Sequence, residues 1–260
     1  MSGMIPYKTG LTRIPQIEQA MAWLVEAGPL VENPPIPAKL LYRLANQKRI
    51  LRLRRSLYLV PRADGTLPSL AAAVGLTFPA GYITGLAALA EAGLTDQDAA
   101  VWHVVNPHQS PSLRYGSLRV EAHCSPGRVT RAKVRSQITE GVRVRWATPL
   151  QALMDSCAIP LAAPDPVALV SGLRVAMETR RVLPKALQLA ALADGSEAVA
   201  RRMGYLLQLL GWTVSPDLLR LARRSHDWVR LTTQRPTTVR DSRWRLLLSE
   251  PGDLLLRRSL

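Results

Sequence analysis

The clearest chemical bias in this chain lies between Lys39 and Arg62. This stretch contains eight basic side chains and no acidic one, and the nearest carboxylates are those of Glu32 and Asp64. Arginine pairs with guanine edges, asparagine pairs with adenine, and lysine and tyrosine bind phosphate. The composition therefore favours binding of a polyanion, and of DNA in particular. The eight cations are Lys39, Arg43, Lys48, Arg49, Arg52, Arg54, Arg55 and Arg62.

The apolar residues within this stretch indicate that it is folded. Their spacing predicts a helix over about 37–48, with Leu40, Leu41, Leu44 and Lys48 on one side. The opposite side would enter the major groove of DNA. It carries Lys39, Tyr42, Arg43, Asn46 and Arg49.

A basic hairpin is predicted directly after this helix. Residues 50–53 and 57–60 alternate as two strands around the turn Arg54-Arg55-Ser56. In a winged helix-turn-helix, a recognition helix is followed by such a wing. We therefore expect Arg52, Arg54 and Arg55 to grip the DNA backbone beside the groove.

The region before the basic helix fits this motif less well. Residues 14–27 predict a helix, but only GPLVENPPI separates them from Pro37. This segment is too short and too proline-rich for the regular helix that the motif requires. Either that helix is reduced to a single turn, or the helix over 14–27 is itself the second of the motif.

The distribution of charge points to a second basic region. The chain has 260 residues and a net charge of +15. Residues 1–62 carry 10 basic and 3 acidic groups, residues 63–155 carry 8 and 7, and residues 156–260 carry 16 and 9. The C-terminal arginines could extend a DNA footprint, face an acidic partner, or be scattered over a solvated surface. They are Arg220, Arg223, Arg224, Arg230, Arg240, Arg243 and Arg245.

The pattern of elements predicts an α+β fold that is mostly helical. We expect a winged-helix DNA-binding domain over 1–62, a linker over 63–67, an α+β unit over 68–160 and a mainly helical part over 161–260. Residues 68–260 could also form one domain. The chain has two isolated cysteines and an N-terminus unlike a signal peptide, which predicts a cytoplasmic protein. It has no apolar run long enough to span a membrane, so we expect no membrane contact.

Catalytic patterns are missing from the sequence. None of the nineteen acidic residues has a lysine two positions later, as a metallonuclease would need, and no Walker loop or nucleophile elbow occurs. The spacing of His103, His108, His123 and Cys124 matches no zinc pattern, and adjacent residues 123 and 124 would face opposite ways on a strand. We expect no metal, no cofactor and no catalytic residue. Asp155 and Cys157 are predicted to be structural, and Trp146, Trp212 and Trp244 to lie in the core.

Several stretches in consistent order resemble the AbiEi-type antitoxin and transcriptional regulator family of type IV abortive-infection toxin–antitoxin systems. The wing resembles that family's basic hairpin, with Ser56 where glycine is usual. The stretch over 142–157 resembles the family's "A-T-P-E" helix, with Gln151 near the usual acid. The matching stretches are RILRLRRSLYLVP (49–61), YITGLAALAEAGLTDQ (82–97), VRVRWATPLQALMDSC (142–157), RRMGYLLQLLGW (201–212) and SRWRLLL (242–248).

The resemblance implies a winged-helix DNA-binding domain followed by a helical antitoxin domain. It also implies repression of the protein's own operon through inverted repeats, and neutralisation of a nucleotidyltransferase-fold toxin. It supplies no catalytic residue. Two alternatives stay open, a nucleic-acid-processing nuclease with an unrecognised site and an RNA-binding module. The shortage of aromatic residues argues against the stacking surfaces on which RNA-binding modules rely.

Overall fold

The computed structural model describes residues 13–62, 64–233 and 236–259. Within these ranges it contains eleven helices and three sheets, with about 43% of residues helical and 20% in strands. This confirms the mixed helix and strand composition expected from the sequence. None of the described helices is both long enough and apolar enough to cross a membrane.

The N-terminal part is a small unit in which two helices pack against a three-stranded sheet. The strand order is β1-β3-β2, and both pairings are antiparallel. Its own core comprises Ile17, Ala20, Leu24, Val31, Ile36, Leu41, Leu44, Ile50, Tyr58 and Val60. The elements are α1 (Arg13–Ala27), β1 (Leu30–Glu32), α2 (Ala38–Asn46), β2 (Leu51–Arg54) and β3 (Leu57–Leu59).

The segment between α1 and α2 contains a strand that the sequence pattern did not predict. Gly28, at φ 111°, ends α1, and Leu30–Glu32 then pairs with Leu57–Leu59. The Asn33 amide donates to the Ser56 carbonyl at 2.7 Å, and bends lead from there to α2. The alternative in which the preceding helix is reduced to a single turn is wrong, because residues 28–37 form a strand and bends. The alternative in which the helix over 14–27 is the second of the motif stays a prediction, because the helix that would precede it falls outside the described residues.

The middle of the chain is organised around a six-stranded mixed sheet of order β6-β7-β5-β4-β9-β8. The pairs β5–β7 and β4–β9 are parallel, and the other neighbours are antiparallel. Thr148 caps α6, because its hydroxyl accepts from the Gln151 amide at 3.4 Å. The elements are α3 (Leu70–Thr77), β4 (Tyr82–Thr84), α4 (Gly85–Glu91), β5 (Val101–Asn106), β6 (Leu113–Tyr115), β7 (Leu118–Cys124), α5 (Pro126–Arg131), β8 (Val134–Thr139), β9 (Val142–Ala147) and α6 (Pro149–Ala158).

The C-terminal part is mainly helical, as predicted, and ends in a small sheet of order β10-β12-β11. Strand β12 pairs in parallel with β10 and antiparallel with β11. The elements are α7 (Pro166–Glu178), α8 (Pro184–Asp194), α9 (Glu197–Leu209), α10 (Pro216–Ala222), β10 (Val229–Arg230), β11 (Val239–Asp241), β12 (Leu246–Leu248) and α11 (Gly252–Arg258).

One continuous hydrophobic core joins the middle and C-terminal parts. Its buried members run from Leu53 to Leu255 and include Leu57 and Leu59 of the β2–β3 hairpin. This hairpin therefore packs against the middle part, and an ion pair between Arg62 and Glu140 reinforces the contact. The domain boundaries expected from the sequence stay a prediction.

A close contact between α9 and Trp244, two residues before β12, explains one glycine. A Cβ atom built on Gly204 would lie 2.2 Å from the Trp244 indole, which is nearly fully buried. The indole Nε1 donates to the Gln208 side chain at 2.8 Å. Two of the stretches that carry the family resemblance are thus packed directly against each other.

Candidate nucleic-acid interface

Helix α2 separates an apolar face from a polar face. It begins after Pro37, and its apolar residues Leu41 and Leu44 are buried in the N-terminal core. The opposite face exposes Lys39, Tyr42, Arg43 and Asn46. The Tyr42 side chain is 66% exposed, so it is free to contact a partner.

Arg49 does not lie on the polar face of α2 as predicted, because the helix ends at Asn46. The next residues turn the chain, and Lys48 adopts φ 57°. Lys48 was expected on the apolar side but is exposed, since it lies beyond the helical periodicity. The Arg49 guanidinium binds both carboxylate oxygens of Glu18 on α1, at 2.7 and 3.0 Å, and these hydrogen bonds lower the pKa of Glu18.

The β2–β3 hairpin, expected from the sequence to be a wing, has a tight turn at Arg55-Ser56. Ser56 adopts φ 61°, the left-handed conformation that glycine adopts most easily. Arg52 and Arg55 are exposed, and the Arg52 Nε donates to the Arg54 carbonyl at 3.3 Å. Arg54 is partly buried, and its Nη2 atom pairs with Glu32 at 3.0 Å. The hairpin therefore presents two exposed arginines rather than three.

Three of the eight cations in the basic stretch are paired with acids from elsewhere in the chain. The partners are Glu18 for Arg49, Glu32 for Arg54 and Glu140 for Arg62. Within the described ranges, the other five have no acidic partner within 4.0 Å. The positive field of the unit thus comes from Lys39, Arg43, Lys48, Arg52 and Arg55.

The predicted second basic surface is divided among several elements. Arg230 and Arg240 lie on the two outer strands of the small sheet, and both have Leu247 as their Cα partner. They therefore share one face of the sheet. The Arg240 guanidinium lies 5.5 Å from the ring centroid of Trp228, within range of a cation–π contact.

The remaining arginines of this set are less available or lie outside the strands. Arg220 pairs with Asp217 on α10, and Arg245 donates to the Ser225 carbonyl. The other three are exposed in connecting segments, and they are Arg223, Arg224 and Arg243. Six of the seven arginines are exposed, and among them Arg230 and Arg240 share one face of the small sheet.

Two histidines and a glutamate come together on the large sheet. Strands β5 and β7 pair in parallel, which places His103 opposite Glu121. His123 lies two residues after Glu121, and the His103 Nδ1 and His123 Nε2 atoms are 2.9 Å apart. Burial lowers the pKa of His103 to about 4, with smaller contributions from His123 and Arg119. Burial also lowers the pKa of His123.

This cluster differs from the histidine and cysteine set considered from the sequence. Glu121 replaces His108 and Cys124, both of which are exposed. The signal that could have identified it is the Glu-x-His pattern on one predicted strand, since such residues share a face. The parallel neighbour that supplies His103 could not be read from the sequence.

Asp155 is the centre of a buried polar network. Its carboxylate accepts from Thr84 at 2.8 Å and from Gln151 at 2.8 Å, and pairs with Arg128 at 3.2 Å. Burial raises the pKa of Asp155, and these contacts oppose the rise. The network links β4, α5 and α6, which agrees with the structural role expected for Asp155.

The three tryptophans expected in the core do not behave alike. Trp146 and Trp244 are buried, whereas Trp212 is 45% exposed. The prediction for Trp212 is therefore wrong. Trp212 follows Gly211, which adopts φ 80° after the end of α9, and the chain there turns the indole away from the core.

The comparisons with known proteins bear on the fold. No family model and no curated protein matches this chain. Three chains among the solved structures are similar. One is the crystal structure of the RV2827C protein from Mycobacterium tuberculosis, with a TM-score of 0.58, 14% sequence identity and coverage of 94% of each chain. At this identity the similarity shows a shared fold and carries no function.

Proposed function

We propose that this protein is a sequence-specific DNA-binding transcriptional repressor that acts as the antitoxin of a nucleotidyltransferase-type toxin and autoregulates its operon. The observation that carries the DNA-binding part is the exposed polar face of α2 beside two exposed wing arginines. The antitoxin part is supported by the family resemblance alone. Double-stranded DNA and the cognate toxin are the proposed partners, and no cofactor is required.

The dimensions of α2 suit the major groove. An α-helix with its side chains is about 10–12 Å across, and the major groove is about 12 Å wide. Arg43 and Asn46 are one turn apart on the exposed face, where they would read base edges. Lys39 and Tyr42 would bind phosphates at the margins of the groove.

The buried face of α2 makes this presentation rigid. Leu41 and Leu44 anchor the helix in the N-terminal core, and the hairpin after it is paired through β3 to β1. The inner side of the hairpin also packs against the middle part. Arg52 and Arg55 thus lie on an anchored hairpin that follows α2 in the chain, where a wing would contact the adjacent DNA backbone.

Direct binding tests the DNA-binding proposal. Fluorescence anisotropy would compare the duplex upstream of the protein's own coding sequence with a scrambled duplex of equal length. Arg43→Ala should weaken binding to the upstream duplex far more than to the scrambled one. Equal loss on both duplexes would contradict base readout by α2.

Co-expression tests the antitoxin proposal separately. A nucleotidyltransferase encoded beside this gene should arrest growth when expressed alone, and co-expression of this protein should relieve the arrest. Arg230→Ala with Arg240→Ala should reduce relief without changing operator affinity if these residues face the toxin. Loss of operator affinity would instead assign them to the DNA footprint.

A plasmid assay tests the nuclease alternative. The purified protein would be incubated with supercoiled plasmid and Mg²⁺ or Mn²⁺. We expect no conversion to nicked or linear plasmid. Metal-dependent nicking that purifies with the protein would overturn the proposed function.

A further inference from the structure

We propose that His103, Glu121 and His123 form a binding site for a divalent transition-metal ion of the Zn²⁺ class. The site goes beyond the proposed DNA-binding function and lies on strands β5 and β7 of the large sheet. One ligand atom from each of the three residues lies within 4.8 Å of the other two. Two adjacent strands supply all three residues on one face, so the sheet itself sets their spacing.

The distances among the three side chains suit an ion of this size. Zinc bonds of about 2.0–2.1 Å at tetrahedral angles place neighbouring ligand atoms about 3.3 Å apart. The His103 Nδ1 atom lies 2.9 Å from His123 Nε2 and 4.0 Å from Glu121 Oε2. These two separations fall on either side of the required value. Small side-chain rotations would therefore bring all three atoms to bonding distance.

The donor set determines which ion is favoured. Two imidazole nitrogens and one carboxylate oxygen suit zinc and similar transition metals, whereas magnesium and calcium prefer oxygen ligands alone. Three protein ligands leave a fourth tetrahedral position for water or a ligand from solution. Glu121 and His123 are only partly buried, so an ion can reach the cluster from solvent.

The surroundings hold the ligands in position. Glu121 Oε1 forms an ion pair with the Arg119 Nη2 atom at 3.1 Å, while Oε2 lies 4.0 Å from His103 Nδ1. One oxygen of the carboxylate is thus oriented by Arg119 and the other faces the histidines, as outer contacts orient metal ligands elsewhere. His103 is only 6% exposed, so packing restricts its ring.

The competing explanation is a purely structural histidine pair. The two rings are stacked with centroids 5.1 Å apart, and one nitrogen can donate a hydrogen bond to the other. Such a pair would hold β5 and β7 together without an ion. It predicts no saturable metal binding, which separates it from the proposed site.

Metal titration tests the proposal. The full chain, freed of any purification tag and treated with chelator, would be titrated with Zn²⁺ by calorimetry, and Co²⁺ binding would be followed by its visible absorption. We expect one ion per chain at the cluster. Glu121→Gln and His123→Ala should each lower the affinity at least about tenfold.

Matched controls use the exposed residues that sequence reasoning considered as ligands. His108→Ala and Cys124→Ser should leave the affinity and the Co²⁺ spectrum unchanged. Melting curves without metal would establish that each variant is folded, and Glu121→Gln keeps the shape of the side chain. Absence of saturable binding, or binding that survives both Glu121→Gln and His123→Ala, would overturn the proposal.

Discussion

The salt dependence of DNA binding gives the sharpest test of the wing. Arg52 and Arg55 are exposed and have no acidic partner in the described part of the chain, so both are free to neutralise phosphates. Each neutralised phosphate contributes about 0.9 to the slope of log affinity against log salt. Replacing both residues with alanine should therefore reduce the slope by about 1.8.

This change of slope is large enough to measure. Between 50 and 200 mM salt, a difference of about 1.8 changes the ratio of wild-type to variant affinity by about twelvefold. The variant should thus lose most at low salt and approach the wild type as salt rises. Fluorescence anisotropy at about four or five salt concentrations gives the slope for the wild type and for the variant. It is measured on the specific duplex and on the scrambled duplex.

A matched pair of substitutions controls for net charge. Arg180→Ala with Lys185→Ala removes the same two charges from exposed positions near α8. The control pair should leave the slope within error of the wild type. An unchanged slope in the Arg52 and Arg55 variant, or an equal change in the control, would refute the wing assignment. Arg54 is omitted because its ion pair with Glu32 and its buried Nε atom would mix folding with binding.

Three further outcomes are expected. Glu18→Gln with Glu32→Gln should raise the affinity for any duplex and steepen the salt slope, because both changes release arginines from ion pairs. Unchanged anisotropy titrations would mean that the DNA binds elsewhere. Gly204→Ala should lower the free energy of unfolding by about 1–3 kcal/mol, because its Cβ would overlap a buried indole, whereas Gly127→Ala should be neutral in urea denaturation. Arg201→Lys should lower the free energy of unfolding by about 2–3 kcal/mol in the same assay. The buried guanidinium donates to several backbone carbonyls that an ammonium could not reach together. A loss below about 0.5 kcal/mol would contradict this.

Local patterns in the sequence predicted the elements that carry the candidate DNA-binding face. The apolar spacing around Leu41 and Leu44 indicated α2, and strict alternation indicated the hairpin after it. The Thr148 cap of α6 is local in the same sense, since it is formed by residues three positions apart. These features depend on neighbours along the chain, and a sequence displays such neighbours directly.

The short strand β1 could not be predicted in the same way. It has three residues, and its stability comes from pairing with Leu57–Leu59, which follow α2 in the chain. The same limit applies to charge. The basic stretch contains no acid along the chain, yet Glu18, Glu32 and Glu140 reach it through space.

The periodicities of residues 38–60 were enough to predict a basic helix face and a basic turn, because they sort side chains without reference to the rest of the fold. Which cations stay unpaired, and that His103 meets Glu121 and His123, depends on the folded chain. So does the need for Gly204 to lack a side chain and admit Trp244. The physical reason is the same in each case: these contacts join residues from 18 to 78 positions apart, and their pairing depends on strand order and packing.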